Sequence, residues 1–220
     1  MKVKELEQYL SLAKPFASPK LSLEQYATDA HLAARLAYTG ATVFDDFADR
    51  RVLDLGCGCG MLSLAACLVD SASVTSVDID LEALEQFREN AVRVLDLEGP
   101  EEVEDHFEIL QGDVLTMHQW YSGRHFDTVI LNPPFGTKSN AGIDMAFLGV
   151  ALTMLPPGGG AVYSMHKSST REFILRKAKE EWRVKDVQVL AQMKFAIPHQ
   201  FKFHKKERIF VEVDLIRLQR

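Results

Sequence analysis

The sequence predicts an α/β fold with a mostly parallel sheet, helices on both faces and an antiparallel pair of strands at the end of the chain. From residue 50 onward, short runs rich in leucine and β-branched residues alternate with helical periods, which is typical of strand–helix–strand units. The last two strand-like runs have no helix between them, which indicates antiparallel pairing. With 220 residues, 47% of them hydrophobic and 25% charged, the chain can build one ordinary globular core.

An N-terminal helical extension is predicted over residues 1–40, packed on the core and helping to close the ligand site, with the sheet domain over 41–220. Apolar residues recur at helical spacing before Pro15, and either Thr28 or Asp29 can cap a second helix. The recurring apolar residues are Val3, Leu6, Leu10 and Ala13.

The elements of the sheet domain are predicted from hydrophobic periodicity and from the glycine and proline residues of the loops between them. Strands are expected at residues 51–55, 73–78, 107–111, 127–131 and 160–165, with the antiparallel pair at 184–195 and 208–218. Helices are expected at residues 60–69, 81–95, 143–154 and 169–182. The acid-rich segment from Glu98 to Asp105 is expected to be only a solvated loop.

Composition argues against a membrane protein and against secretion. The longest apolar stretch, Met61 to Val69, is far shorter than the roughly 20 residues that a bilayer requires. The first seven residues alternate charged and apolar side chains, whereas a signal peptide needs a continuous apolar segment. Three cysteines crowded into eleven positions fit reduced thiols better than a disulfide framework. We therefore expect an intracellular protein with no membrane span.

The charge distribution limits contacts with nucleic acid to a local patch. The net charge is −6, from 31 acidic and 25 basic residues. Residues 194–208 nevertheless hold five bases and one acid, interleaved with three phenylalanines, a combination that suits single-stranded nucleic acid. The alternative is that these phenylalanines belong to the core and the lysines only solvate a hairpin tip.

A glycine-rich turn joins the first strand to its helix and indicates a cofactor site. Gly56, Gly58 and Gly60 stand at every second position, so a ligand can lie directly against main-chain N–H groups. This spacing differs from the G-x-G-x-x-G of dinucleotide sites. Asp54, just before the turn, can interact with the ammonium group of S-adenosylmethionine, which favours that ligand. Asp78, 22 residues after Gly56, is placed to accept both ribose hydroxyls.

Two further features of these loops are weaker. Asp113, followed by Val114 after the third strand, can accept the amino group of the cofactor's adenine while Val114 covers its face, although a plain surface turn explains the pair equally well. Cys57 and Cys59 lack the second pair of ligands that zinc would need. No metal site is therefore predicted, and both cysteines are interpreted as small residues of the cofactor loop.

The sequence Asn132-Pro133-Pro134-Phe135 directly follows the strand at 128–131 and predicts the catalytic site. Two prolines fix a rigid path and remove two N–H donors, leaving carbonyl oxygens for the cleft. The Asn132 side-chain oxygen and the Pro133 carbonyl can accept the two N–H bonds of a planar exocyclic amine, and Phe135 can stack on its base. Such bonds strengthen when they are preorganised in a dry site, so the motif predicts methylation of a planar nitrogen.

Taken together, these motifs resemble the S-adenosylmethionine-dependent methyltransferases with a seven-strand Rossmann-like sheet. Within them, the chain resembles the small methyltransferase-like family that makes N6-methyladenosine in small-subunit (18S-type) ribosomal RNA. The resemblance covers nearly the whole chain. Its specific stretches are Glu24-Gln25-Tyr26 with Thr28, Asp54 to Gly60, Asp78-Ile79-Asp80, Asn132 to Lys138, Asp144 to Leu148, His166 to Arg171 and Phe203 to Lys206.

The resemblance implies a set of binding residues, with Gln25 and Thr28 closing over the cofactor from the N-terminal segment. The implied cofactor residues are Gln25, Thr28, Asp54, Gly56, Cys57, Gly58, Cys59, Asp78, Ile79, Asp113, Val114 and Asn132. The implied RNA contacts are Lys138, Lys167, Arg171, Lys202, Phe203, His204, Lys205 and Lys206.

The same resemblance implies a partner and a place in the cell. Members of the family act as heterodimers with a small zinc-binding activator subunit, and the third strand, at residues 107–111, would be an exposed edge open to it. The protein would act in the nucleus, including the nucleolus, or in the cytoplasm.

Alternatives remain within and outside this chemistry. Asn-Pro-Pro-Phe also occurs in RNA guanine-N2 methyltransferases, and the related Asn-Pro-Pro-Tyr in enzymes that methylate a glutamine amide of release factors or DNA adenine. A non-catalytic S-adenosylmethionine-binding RNA scaffold would be indicated by a broken Asn132-Pro133 pair or a missing Asp78, but all three residues are present.

Overall fold

The computed structural model describes residues 1–121, 125–136, 140–198 and 208–220. Its strands form one sheet of seven in the order β3-β2-β1-β4-β5-β7-β6. The strands are β1 Arg51–Leu55, β2 Ser73–Asp78, β3 Phe107–Gln111, β4 Thr128–Leu131, β5 Ala161–Lys167, β6 Asp186–Pro198 and β7 Arg208–Gln219. Among the described residues, no helix has the length and apolar character needed to cross a membrane.

The pairing confirms the predicted mixed sheet. Strands β1 to β5 pair in parallel, whereas β7 runs antiparallel to both β5 and β6. Leu55, the last residue of β1, lies opposite Val77 of β2 and Leu131 of β4. Because these strands end at nearly the same level, the loops that follow them meet at the carboxyl edge of the sheet, where the strand order reverses.

The helices confirm most of the predicted elements. They are α1 Val3–Leu10, α2 Ala30–Thr42, α3 Met61–Cys67, α4 Leu81–Leu95, α5 Val103–His106, α6 Met117–Trp120, α7 Ile143–Met154 and α8 Arg171–Glu180. The bounds of α4 and α7 agree with the prediction, while α3 and α8 are a few residues shorter. A 3-10 turn at Ser168–Thr170 occupies the start that was predicted for α8.

Helices cover both faces of the sheet. Because side chains alternate between the faces of a strand, adjacent strand residues belong to different cores. Val52 of β1 belongs to a core on one face together with Phe87 of α4, and the next residue, Leu53, belongs to the core on the other face together with Leu148 of α7. Residues of α1 to α5 contribute to the first core, and residues of α6 to α8 to the second.

The expectation that residues 98–105 form only a solvated loop is wrong. This segment folds into a 3-10 turn at Pro100–Glu102 followed by α5. Val103 is fully buried in the first core, so one apolar side chain anchors a segment whose acidic composition masks it. Another 3-10 turn, Val114–Thr116, leads into α6, and neither of these two elements was predicted.

The start of α2 is capped by Asp29 and not by Thr28. The Asp29 carboxylate accepts a hydrogen bond from the main-chain N–H of His31 at 2.9 Å. The Thr28 hydroxyl instead accepts from the side-chain amide of Asn132 at 3.0 Å. Thr28 therefore links the N-terminal segment to the loop after β4.

Asn90 of α4 ties the N-terminal segment to the glycine-rich turn. Its side chain is fully buried. The amide accepts from the main-chain N–H of Lys14 at 2.8 Å and donates to the carbonyls of Lys14 and Cys59, each at 2.9 Å. One side chain thus satisfies main-chain groups from two segments that have no ladder of their own at this point.

We expect Asn90→Ala to lower the free energy of unfolding by about 2–3 kcal/mol, because the main-chain groups of Lys14 and Cys59 then lose their buried partner. Urea unfolding followed by circular dichroism measures this change. The matched control is Glu85→Ala, an exposed site on the same helix, which should change stability by less than about 0.5 kcal/mol. Equal effects of the two substitutions would contradict the linking role of Asn90.

Candidate active site

A cavity of about 270 Å³ opens at the carboxyl edge of the sheet, beside a smaller one of about 30 Å³. Every residue predicted to bind the cofactor lines at least one of them. The larger is lined by Gln25, Gly56, Gly58, Asp78, Ile79, Asp113, Val114 and Asn132, and the smaller by Thr28, Asp54, Cys57 and Cys59 together with Gly56, Gly58 and Asn132. The structure thus brings together residues that the sequence spreads over more than one hundred positions.

The glycine-rich turn continues the hydrogen bonding of β1 into the site. The main-chain N–H groups of Gly56 and Cys57 both donate to the carbonyl of Val77, at 2.8 and 3.0 Å. Gly58 has a φ of +53°, and a Cβ atom there would come within 2.6 Å of the Phe16 ring. Only glycine fits this position, because the N-terminal segment lies directly against the turn.

Two carboxylates flank this turn. Asp54 is 1% exposed; its Oδ2 accepts from the Ser63 hydroxyl at 2.6 Å, and burial raises its pKa to about 7. Asp78 accepts from the main-chain N–H groups of Gly58 at 2.8 Å and Asp80 at 2.9 Å. Burial also raises the pKa of Asp78. Asp78 therefore shapes the turn and is also one of the residues that line the larger cavity.

Two buried oxygens at the smaller cavity lack donors among the described residues: Oδ1 of Asp54 and Oδ1 of Asn132. Leaving such an acceptor unpaired costs about 1–3 kcal/mol, so both atoms fit a ligand that carries N–H groups. A cationic ammonium group beside Asp54 would satisfy the first. The residues present thus fit S-adenosylmethionine, which supplies an electrophilic methyl group when bound.

The remaining residues of the Asn-Pro-Pro-Phe motif take different positions. Pro134 lines the larger cavity beside Asn132. Pro133 is buried, and the half-buried Phe135 packs against the first core. Neither Pro133 nor Phe135 is among the residues that line the two cavities, and stacking of Phe135 on a base stays a prediction.

The loop after β3 also lines the larger cavity. Asp113 begins the 3-10 turn at Val114–Thr116, and its carboxylate accepts from the main-chain N–H of Leu115 at 2.9 Å. Val114 is buried, whereas Ile79 is 51% exposed. The contacts predicted for Asp113 and Val114 with the cofactor's adenine stay predictions.

Sequence reasoning missed several residues of the cavity wall. They include Phe16, Tyr26, Asn140, Ile143 and Phe147. Ile143 and Phe147 are separated by four positions and share a face of α7, a spacing that could have been recognised. Phe16, Tyr26 and Asn140 lie in irregular segments, where no periodicity indicates which way a side chain points.

The N-terminal segment is fastened over the site at Asp80. The Lys20 ammonium group lies 2.6 Å from one carboxylate oxygen of Asp80, and the side-chain amide of Gln25 donates to the other at 2.7 Å. Burial opposes ionisation of Asp80, but these hydrogen bonds lower its pKa. Gln25 therefore holds the segment in place in addition to lining the cavity.

Of the predicted RNA contacts, the structure describes two. Lys167 is half-buried at the end of β5. The Arg171 guanidinium donates to both carboxylate oxygens of the fully buried Asp214, at 2.6 and 2.7 Å, so part of its donor capacity stabilises the fold. Lys138, Lys202, Phe203, His204, Lys205 and Lys206 lie outside the described residues.

The cysteines of the turn are buried thiols. Burial raises the pKa of Cys59 to about 12 and raises that of Cys57 well above its ordinary value. Both are therefore protonated at neutral pH, whereas thiolate is the form that binds metals and acts as a nucleophile. Their place beside the cavity agrees with their interpretation as small residues of the loop.

The parallel sheet, the glycine-rich turn after β1, the acid after β2 and Asn-Pro-Pro-Phe after β4 define an S-adenosylmethionine-dependent methyltransferase. Comparison with known proteins agrees with this class. Residues 39–197 match the methyltransferase small domain, and the chain belongs to that family.

Full-length relatives are similar to this chain. A zebrafish (Danio rerio) protein named rRNA N(6)-adenosine-methyltransferase METTL5 is 45% identical over 217 residues, covering 99% of this chain and 98% of the relative. A Drosophila melanogaster protein with the corresponding name is 40% identical, covering 100% and 97%. The crystal structure of a Pyrococcus horikoshii protein, provisionally assigned as an RNA methyltransferase, superposes with a TM-score of 0.77 at 32% identity and covers 99% of this chain and 97% of that one.

We expect Asp54→Asn to weaken S-adenosylmethionine binding about tenfold at pH 7.5, because a charge-assisted contact is lost. The wild-type dissociation constant should rise as the pH falls below about 7, where Asp54 takes up a proton. Calorimetric titrations between pH 6 and 8 would measure both effects. A pH dependence that survives in Asp54→Asn would contradict the assignment.

The same substitution should stabilise the ligand-free protein. Because the pKa of Asp54 is raised from 3.8 to about 7, folding takes up a proton within this window, and the free energy of unfolding falls as the pH rises through it. Asp54→Asn removes this loss, so its melting temperature should exceed that of the wild type at pH 8 and approach it near pH 4. A lower melting temperature at pH 8 would count against the burial cost.

Proposed function

We propose that this protein transfers a methyl group from S-adenosylmethionine to the N6 amine of an adenosine in small-subunit ribosomal RNA, with Asn132 to Phe135 as the catalytic residues. The observation that carries the proposal is the buried Oδ1 of Asn132, which has no donor among the described residues and lies at the cavity. The names of the full-length relatives support adenosine in ribosomal RNA as the acceptor.

The chemical argument starts from the exocyclic amine of adenine, which is a poor nucleophile because its lone pair is delocalised into the ring. Oδ1 of Asn132 and the carbonyl of Pro133 would accept its two N–H bonds and concentrate electron density on the nitrogen. Each bond contributes about 1 kcal/mol in ordinary settings and more when it is preorganised in a dry site. As the N–CH3 bond forms, the S–CH3 bond of the cofactor would break and S-adenosylhomocysteine would leave. No catalytic base is needed, because the methylated nitrogen is acidic and would release its extra proton to water.

Thr28 prepares Asn132 for this role. Its hydroxyl accepts from Nδ2 of Asn132 at 3.0 Å, so the amide nitrogen is directed to the N-terminal segment and Oδ1 is left for the substrate. A fixed amide needs little reorganisation when the base arrives, which is the condition for effective electrostatic catalysis. Phe135 would complete the site by stacking on the base.

Contacts with the RNA backbone would come from a limited set of basic residues. Lys167 is the last residue of β5, at the carboxyl edge of the sheet, and Arg171 is the first residue of α8. We propose that both contact phosphates together with Lys138 and Lys202 to Lys206. This local patch would attract RNA although the net charge of the chain is −6.

We further propose that the protein acts as a heterodimer with a small zinc-binding activator subunit, within the cell nucleus, nucleolus or cytoplasm. Strand β3 is at the end of the sheet and pairs only with β2 among the described strands. We propose that the partner adds a strand along this end of the sheet.

We expect labelled S-adenosylmethionine to methylate purified small-subunit ribosomal RNA, more strongly with the activator subunit than without it, and nucleoside mass spectrometry to find N6-methyladenosine. Label in guanosine would contradict adenine as the acceptor and would indicate a guanine-N2 methyltransferase. Label in a release-factor glutamine, with none in RNA, would overturn the proposed substrate. Cofactor binding without transfer to any of these acceptors would favour a binding scaffold.

We expect Asn132→Ala to lower kcat by about 10²–10³-fold, the usual effect of removing one preorganised hydrogen-bond partner. The dissociation constant of S-adenosylmethionine should stay within about threefold of the wild type, since Asp54 and Asp78 keep their positions. Single-turnover kinetics and calorimetry separate the two quantities. A large loss of cofactor binding with kcat preserved would contradict a role for Asn132 in the transfer step.

A further inference from the structure

A buried chain of hydrogen bonds joins the end of β5 to the beginning of α7. The Ser164 hydroxyl lies 2.7 Å from Nε2 of His166, and Nδ1 of the same ring lies 3.1 Å from Oδ2 of Asp144. Ser164 and His166 are 0% exposed and Asp144 is 8% exposed. None of the three lines the cavities at the carboxyl edge, so cofactor contact does not explain them.

The donor and acceptor in each of these two hydrogen bonds follow from the chemistry of the side chains. A neutral imidazole carries one ring hydrogen, and in the tautomer that places it on Nδ1, His166 donates to the Asp144 carboxyl oxygen. Nε2 is then an acceptor, and the hydroxyl of Ser164 donates to it. Both ring nitrogens are satisfied, which fixes the tautomer and the orientation of the ring.

The neighbouring carboxylate does not require His166 as its counter-ion. Asp214 of β7 lies opposite His166 in the sheet register. It already accepts from the Ser168 hydroxyl at 2.7 Å and from two guanidinium nitrogens of Arg171. The hydrogen bond to Asp144 is therefore the specific connection that His166 makes away from its own strand.

This connection ends where α7 meets the cofactor cavity. Gly142 precedes the helix and supplies no side-chain cap, and Asp144 lies in the first turn. Ile143 and Phe147, on either side of Asp144, line the cavity. Phe147 approaches the glycine-rich turn so closely that a Cβ atom at Gly56 would lie 3.2 Å from its ring.

We propose that His166 is a positioning residue for the cofactor. Held by Ser164, it anchors Asp144, and Asp144 fixes the first turn of α7 so that Ile143 and Phe147 close the cavity against the ligand. The anchor acts through cofactor binding and does not depend on which nucleotide or protein accepts the methyl group.

Two polar substitutions at His166 distinguish its hydrogen bond to Asp144 from its hydrogen bond to Ser164. In His166→Asn, the amide can replace Nδ1 and keep the bond to Asp144; in His166→Gln, the longer side chain can replace Nε2 and keep only the bond to Ser164. Calorimetric titration of the full chain with S-adenosylmethionine should give a dissociation constant within about threefold of the wild type for Asn and at least about tenfold weaker for Gln. Equal constants for the two variants would overturn the proposal.

A second pair keeps the proposal testable if a change at His166 prevents folding. Asp144→Ala removes the end that holds α7 and should weaken cofactor binding by about tenfold, whereas Ser164→Ala removes the far end and should change it by less than about threefold. Comparable losses in both variants, or none in either, would contradict an anchor at Asp144.

Tyr163→Phe is the matched control for a general loss of stability. Tyr163 precedes Ser164 on β5, its side chain belongs to the core on the other face of the sheet, and its hydroxyl donates to Asp46 at 2.6 Å. Loss of this bond should lower the melting temperature and leave the dissociation constant unchanged. If Tyr163→Phe weakens cofactor binding as much as His166→Gln does, the role of His166 is merely structural and the proposal fails.

Discussion

The parallel pairing of β1 with β2 on one side and β4 on the other is the constraint on which the site depends. It places Leu55, Val77 and Leu131 side by side, so the glycine-rich turn, Asp78 and Asn132 follow at one level. The turn is also hydrogen-bonded to β2, since two of its N–H groups donate to the carbonyl of Val77. Geometry that catalysis needs to a fraction of an ångström is thus inherited from the most regular part of the fold, which resists displacement because both of its faces are buried.

Stability and function oppose each other at the centre of this site. Oδ1 of Asp54 and Oδ1 of Asn132 are buried without donors among the described residues, and each such atom costs about 1–3 kcal/mol. For a fold whose total stability is typically about 5–15 kcal/mol, two neighbouring unpaired acceptors are a substantial cost. A bound ligand with N–H groups would recover it. The ligand-free protein therefore stores part of its binding free energy in atoms that the fold leaves unsatisfied.

Local signals in the sequence were sufficient for the sheet and for the residues that follow its strands. The bounds of α4 were predicted because Asp80 caps an apolar face of ordinary helical spacing. The glycine-rich turn, Asp78 and Asn132 were predicted from local motifs, whereas Gln25 and Thr28 came only from the resemblance to a methyltransferase family. Contacts between irregular segments carry no such signal. Phe16 against Gly58 and Lys20 against Asp80 are set by tertiary packing, and the acidic composition around Val103 concealed a buried anchor.

The position of the loop after β4 depends on hydrogen bonds to another segment of the chain. Its two prolines provide no N–H donors. The N-terminal segment contacts it at both ends: the Thr28 hydroxyl accepts from Asn132, and the main-chain carbonyl of Ser22 accepts from Asn140 at 3.2 Å. Thr28 and Ser22 both precede residue 39, where the match to the methyltransferase small domain begins. The matched residues thus include the glycine-rich turn and the Asn-Pro-Pro-Phe motif, while the N-terminal segment orients the side chain of Asn132 through Thr28. Because Thr28 fixes which way the amide of Asn132 faces, the role proposed for Asn132 depends on a residue that precedes the matched domain.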